Sequence, residues 1–316
     1  MDINKTKGVY FVANDRVIEM TIAFLNSFRN CNPEIPLCLI PFRSDVDKLC
    51  ILQEKYNFSV FNNLEALSFC DDISRQFHGE IKGHYRKLVI WDGPFDEFVY
   101  IDVDMLVMKN IDFVFQILKQ YDFITSHSNL PSIEKWVWKD TIYSTDLLNQ
   151  EKIRYAANTG FIVSKKNVIL IDEIKAKLPS ALKLKPYMEL RCKDQSFINY
   201  LIVTSNKRFT SLFVLLDSPL YPENYIEFWA GNNKRELMKN MQTSINGKLY
   251  DLFLIHWAGK WQLKQIEKKL FVLLNILRIR RTIWSISLFM PFKKLWKHYR
   301  LMDPGKSKSP NLKHCR

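Results

Sequence analysis

Glycine is scarce in this chain, at 9 of 316 residues, and the shortage removes whole classes of protein. Collagen-like and Gly-rich linker architectures need far more, and no repeat recurs at a fixed period. Neither G-x-G-x-x-G nor G-x₄-G-K-[ST] occurs, which excludes a dinucleotide-binding turn and a P-loop by motif. No run of about 18 uncharged apolar residues is found, so no membrane-spanning helix is expected. The opening MDINKTKGVYFVA has no apolar segment of signal-peptide length. The cysteines (31, 38, 50, 70, 192 and 315) lack C-x-x-C spacing and disulfide-rich density. Free thiols of a reducing compartment are expected, with Cys38 and Cys50 serving as small hydrophobes.

Negative charge is what the C-terminal end lacks. From Lys260 to Arg316, 10 Lys and 5 Arg face only Glu267 and Asp303, so this segment holds the whole formal excess of +13. The first 259 residues are about neutral. A chain-wide nucleic-acid surface is therefore unsupported and no nucleic-acid partner is expected; a basic appendage is. Leu263, Ile266, Leu270, Leu273 and Leu277 keep a helical period with Lys264, Lys268 and Lys269 off the stripe. Phe292, Leu295, Trp296 and Tyr299 repeat the pattern, with Lys293, Lys294, Lys297 and Arg300 on the other side. Basic amphipathic segments of this kind lie in a membrane interface, each cation near an anionic surface adding about 1 kcal/mol. The alternative is a helix packed on the preceding domain. The expected organisation is a catalytic-type domain over 1–261, a basic amphipathic helical tail over 262–303, and a disordered terminus over 304–316. A cytoplasmic location follows, peripheral on the inner face of a membrane.

What is present before the tail is an alternation of elements. GVYFVA (8–13), PLCLIPF (36–42), FSVF (58–61), EFVYID (97–102), YDFITS (121–126), GFIVS (160–164) and DLFLIH (251–256) read as strands. Helical periodicity covers 17–28, 46–56, 64–77, 84–91, 166–177 and 195–203. The pattern predicts an α/β layered domain with a largely parallel sheet flanked by helices. Ligands bind such sheets at the carboxyl ends of the strands, and polar clusters fall there: Asn14-Asp15-Arg16, Asp102-Val103-Asp104 and His256. The segment 127–157, with Trp136 and Trp138, is long enough to wall a site.

FVYIDVDMLVMKN (98–110) carries the sharpest signal. Residues i and i+2 of a strand share a face, so Asp102 and Asp104 aim two carboxylates at one place. Paired like charges are costly to bury, and a Mg²⁺ or Mn²⁺ ion with a diphosphate removes that cost. A solvated turn is the competing reading. His256 is a suitable third ligand, or else a satisfied core imidazole. Gly259 permits close backbone approach and Lys260 offers a point charge for phosphate. Asp194 precedes a helix, where capping is the ordinary role. Asn158, Thr159 and Gly160 read as a turn before a strand. Arg86 and Lys87 read by themselves as a solvated helix face.

Taken in order, Ala13-Asn14-Asp15, Lys87-Leu88, Asp102-Val103-Asp104, Asn158-Thr159-Gly160, Asp194-Gln195 and His256 with Gly259-Lys260 resemble glycosyltransferase family 8. That group includes glycogenin and bacterial lipopolysaccharide galactosyl- and glucosyltransferases. The resemblance spans roughly 8–261. It implies a GT-A fold, a nucleotide-sugar donor that is usually UDP-linked, Mn²⁺, and retention of configuration. It also implies that Asp102, Asp104 and His256 hold the metal and that Asn14 with Asp15 and Val103 contact the nucleoside. Lys87, Gly259 and Lys260 are then placed at the diphosphate, and Asn158, Asp194 and Gln195 at the sugar. The implied acceptor is a glycan or a lipid-linked glycan. Two departures stand out: GKW is contracted relative to the family's closing motif and lacks its proline, and Asn14 stands where Asp is common. A sugar-nucleotide pyrophosphorylase shares the layout, but VANDRVIEM has no glycine after the first strand. A basic membrane- or RNA-binding protein with a catalytically silent core is the non-enzymatic alternative.

Overall fold

The computed structural model describes residues 5–230 and 241–258. The basic tail, the 304–316 terminus and the Gly259-Lys260 pair lie outside the described residues. The described strands are β1 (Lys7–Ala13), β2 (Leu37–Pro41), β3 (Phe58–Val60), β4 (Glu97–Ile101), β5 (Met105–Val107), β6 (Phe123–Thr125), β7 (Phe161–Lys165), β8 (Phe209–Ser211), β9 (Ile226–Trp229), β10 (Gln242–Ile245) and β11 (Lys248–His256). Seven of them form one sheet in the order β3-β2-β1-β4-β7-β6-β8. Only β7 runs against the rest: it is antiparallel to β4 and β6, while β1 to β4 and the β6–β8 pair are parallel.

The continuous apolar run in GVYFVA is explained by burial on both faces. Val9, Phe11 and Ala13 enter one core with Phe24, Leu25 and Phe28 of helix Ile18–Cys31. Tyr10 and Val12 enter the opposite core with Cys70, Ile73 and Phe77 of helix Leu64–His78. That second helix is fixed at both ends. The Asn63 side chain accepts from the Ala66 N–H at 3.1 Å, and Gly79 leaves the helix at φ 72°.

A smaller sheet runs β10-β11-β5, with β9 beside β11. β5 pairs with β11 antiparallel, placing Met105 opposite His256. The chain therefore leaves the large sheet at Ile101 and enters the small one at Met105. The three residues of that crossover are Asp102, Val103 and Asp104.

The strand–helix alternation and largely parallel sheet agree with expectation, and local details differ. The helix expected over 46–56 is two short turns, Asp47–Cys50 and Gln53–Tyr56, with Ile51 between them 79% exposed. Residues Gly83–Trp91 wind as a 3-10 helix. The helix expected from 166 begins at Ile171, because Val168 and Ile169 are buried in the preceding turn. Cys31, Cys38, Cys70 and Cys192 are free thiols, as expected.

Candidate active site

The sheet junction brings three polar side chains to one point. One ligand-capable atom each from Asp102, Asp104 and His256 lies within 4.8 Å of the others. β4 delivers Asp102, the crossover delivers Asp104, and the end of β11 delivers His256. His256 Nε2 is 3.3 Å from Asp104 Oδ1. The backbone closes the same corner: Asp102 N–H donates to the Gly160 carbonyl at 2.8 Å, and Trp257 N–H to the Asp104 carbonyl at 2.9 Å.

Gly160 is the floor of this corner. A Cβ there would lie 2.9 Å from Asp102 Oδ2, 2.9 Å from His256 Cε1 and 2.7 Å from Met105 Cε. Any side chain would press on two of the three converging groups, Asp102 and His256. Asp104 Oδ1 is buried without a hydrogen-bond partner of good geometry, the condition a cation relieves. Two carboxylates and an imidazole are a suitable donor set for Mn²⁺ or Mg²⁺. The residues fit the ion their resemblance implies.

A second cluster adjoins the first. Lys87, on the 3-10 turn, is buried and sends its ammonium to Asp194 Oδ2 at 3.1 Å, to the Thr159 carbonyl at 3.0 Å and toward Asp102 Oδ1 at 3.5 Å. An ammonium has three donors, and all three face protein. Burial opposes the charge, yet Asp102 and Asp194 outweigh it and hold Lys87 above its ordinary pKa. Burial also lifts the Asp194 carboxyl, with Lys87 offsetting part of that rise. Asp102 Oδ1 is further held by the Tyr100 hydroxyl at 2.5 Å. Burial, then the Asp102 charge, keeps that phenol protonated and donating.

Asp194 stands at the N-cap of helix Gln195–Val203 without capping it through its side chain. Its carboxylate turns instead to Lys87. The preceding Lys193 adopts a positive φ of 57°, uncommon for a side-chain-bearing residue. Gln195 bridges two backbones: its amide donates to the Trp136 carbonyl at 3.0 Å and accepts from the Thr159 N–H at 3.4 Å. Trp136 is 39% exposed beside it, whereas Trp138 is core.

The remaining expected residues are placed as follows. The Asn14 amide is pinned by the Asp45 carboxylate at 3.1 Å. Asp15 accepts from the Lys48 and Leu49 N–H groups, both at 3.1 Å, and so serves the short helix Asp47–Cys50. The Val103 side chain is buried in the core. Asn158 takes the Gly160 N–H on its carbonyl at 3.0 Å and turns its amide toward Glu227. Arg86, read as solvated, instead grips Asp71 through two bonds of 2.9 and 2.7 Å.

Sequence reasoning missed Tyr100, His127 and Glu227. Glu227 is a fully buried carboxylate whose Oε1 sits 2.5 Å from His256 Nδ1. Burial opposes its charge, and the His256 and His127 imidazoles hold it well below the usual carboxylate range. Burial likewise disfavours the His256 imidazolium, while Asp104 and Glu227 raise it well above its ordinary pKa.

No known family model matches this chain, and no curated protein does. Solved structures do. The crystal structure of the galactosyltransferase LgtC in complex with donor and acceptor sugar analogs is 12% identical, covers 85% of this chain and 94% of its own, and superposes with a TM-score of 0.53. An active-site mutant of LgtC is 11% identical over 85% and 95% of the two chains, also at 0.53. At such identity the likeness establishes architecture: the chain has the GT-A fold of these glycosyltransferases.

Proposed function

We propose that this protein is a metal-dependent glycosyltransferase that moves a hexosyl group from a nucleotide-diphosphate sugar, UDP-hexose first among them, to a glycan or lipid-linked acceptor with retention of configuration. The observation that carries this reading is the convergence of Asp102, Asp104 and His256 within 4.8 Å at the junction of the two sheets. Asp102, Asp104 and His256 would hold Mn²⁺ or Mg²⁺, and the charge supplied there stabilises a departing nucleoside diphosphate.

The chain's own residues set the rest. Lys87 neutralises part of the Asp102–Asp194 charge and keeps both carboxylates in place. Gln195 accepts from the Thr159 N–H, and Lys87 links Asp194 to the Thr159 carbonyl of the Asn158-Thr159-Gly160 turn. This supports their assignment to the sugar. Trp136 borders Gln195 with its ring partly exposed and offers an apolar surface to a pyranose. Among the described residues no helix is long and apolar enough to cross a membrane. The proposed contact with an anionic membrane surface rests on the charge and periodicity of the 262–303 sequence.

The test is release of nucleoside diphosphate from a panel of UDP- and other nucleotide hexoses, with Mn²⁺ and after chelation. Turnover is expected only with the ion, and Asp102→Asn or Asp104→Asn is expected to lower it at least about 100-fold, the scale of lost transition-state electrostatics. A wild-type chain that neither binds nor hydrolyses any donor, with or without metal, would sink the proposal.

A further inference from the structure

We infer that Glu227 is the positioning residue of the metal centre: it fixes the His256 ring so that Nδ1–H is donated inward and Nε2 is the atom presented to the ion. This rests on the metal reading above and adds to it a residue outside the motifs that suggested it.

The placement follows from strand register. β9 runs parallel to β11, with Leu254 beside Glu227 and His256 beside Trp229. Side chains two apart on a strand share a face, so Glu227 and His256 are diagonal neighbours on the small sheet. The Glu227 side chain has no exposure to solvent. Its Oε1 accepts from His256 Nδ1 at 2.5 Å and from Trp229 Nε1 at 2.8 Å. Asn158 Nδ2 reaches both oxygens, at 3.2 and 3.4 Å, and His127 Nδ1 lies 3.5 Å from Oε2. Hydrogen-bond donors from His256, Trp229 and Asn158 converge on one carboxylate.

That convergence has two consequences. Its Oε1 takes donors from His256, Trp229 and Asn158, which makes the carboxylate a rigid anchor for the His256 ring. With Nδ1 committed to Glu227, the free nitrogen of His256 is the one facing Asp104 at 3.3 Å. An imidazole that donates its second nitrogen to a carboxylate is fixed in tautomer and ring angle, and is a stronger ligand. Asn158 ties the anchor to the floor of the site, because the same amide that donates to Glu227 accepts from Gly160. A buried acid present only for packing would not need its strongest acceptor atom aimed at a ligand's second nitrogen.

Glu227→Gln preserves shape while replacing one of two anionic acceptors by a donor amide. Mn²⁺ binding to the full chain, read by calorimetry, is expected to weaken 10- to 100-fold, the range for lost outer-layer partners. Asp104→Asn serves as the ligand-loss control. Unaltered Mn²⁺ affinity in Glu227→Gln overturns the inference while leaving the metal reading intact. Failure of the wild-type chain to bind Mn²⁺ overturns both. Should the Gln variant not fold, ¹⁵N-imidazole NMR of the wild-type chain with diamagnetic Zn²⁺ decides. A protonated Nδ1 with Nε2 shifted by the metal supports the assignment, and a protonated Nε2 overturns it.

Discussion

Lys87 places its ammonium 3.1 Å from the Asp194 carboxylate, with both side chains 5% exposed. One cation thus serves two carboxylates, since Asp102 lies 3.5 Å away on its other side. Removing one partner of a buried ion pair leaves an uncompensated charge, at a cost of about 3–5 kcal/mol. Lys87→Met is expected to lose that much stability in chemical denaturation at neutral pH. The sign of the pH effect follows from Asp194, whose pKa burial already raises. Without Lys87 the native state gains a proton more readily than the unfolded chain, so the deficit shrinks as pH falls below neutrality. A Lys87→Met/Asp194→Leu pair should recover most of the loss. A single variant costing under about 1 kcal/mol would contradict the buried pair.

The Gly160 position makes a different demand. Its missing Cβ is what lets Asp102, His256 and Met105 crowd this corner, at 2.9, 2.9 and 2.7 Å from where a Cβ would lie. Gly160→Ala is expected to cost about 1–3 kcal/mol through overpacking. It should also weaken Mn²⁺ binding at least about tenfold, because two of the displaced groups, Asp102 and His256, belong to the proposed metal site. Calorimetry on the folded variant checks this, and wild-type affinity would show that the corner relaxes elsewhere.

Arg86 and Asp71 form a two-bond pair with side chains 15% and 10% exposed, and Arg86 adds a bond to the Pro41 carbonyl at 2.9 Å. Arg86→Ala is expected to cost about 2–3 kcal/mol, below the fully buried range because water retains access. Arg86→Lys should recover less than half, since an ammonium cannot reproduce the planar fork. Equal stability of the Lys variant and wild type would refute the bidentate assignment.

The parts of this structure that were legible in sequence are those written in consecutive residues. Apolar runs such as GVYFVA and DLFLIH mark strands buried on both faces, and Asp102-Val103-Asp104 marks a strand end. The paired aspartates and His256 were therefore found. That Met105–Val107 belongs to a second sheet was not visible, because a three-residue strand is defined by its partner β11, about 150 residues later. Asp194 illustrates an ambiguity that spacing cannot resolve, as the residue before a helix caps it or turns away depending on whether a distant lysine is buried beside it. Glu227 left one signal: a single carboxylate between Ile226 and Phe228 in an otherwise apolar strand. Its hydrogen-bond donors come from residues 158, 229 and 256, and only folding assembles them.

Asp122 gives the pH prediction with the most direct sign. It stands before β6 and takes the Lys165 ammonium from β7 at 2.7 Å and the Arg208 N–H from the approach to β8 at 3.1 Å. Three neighbouring strands are thereby tied at one end. Partial burial opposes its ionisation, and these partners outweigh it, holding the carboxyl down at about 2. A depressed native pKa means that the stabilisation is fully present above the unfolded value of about 4. It is then lost as pH falls through that value toward 2, where the native carboxylate also takes a proton. The group is in contact with water, so screening reduces the contribution to about 1 kcal/mol. Asp122→Asn should destabilise the protein by that amount at pH 7, and the gap to wild type should close progressively between pH 4 and pH 2. Denaturation curves for the two proteins across this window test it. A difference that stays constant with pH would mean that Asp122 stabilises the sheet by its shape rather than by its charge.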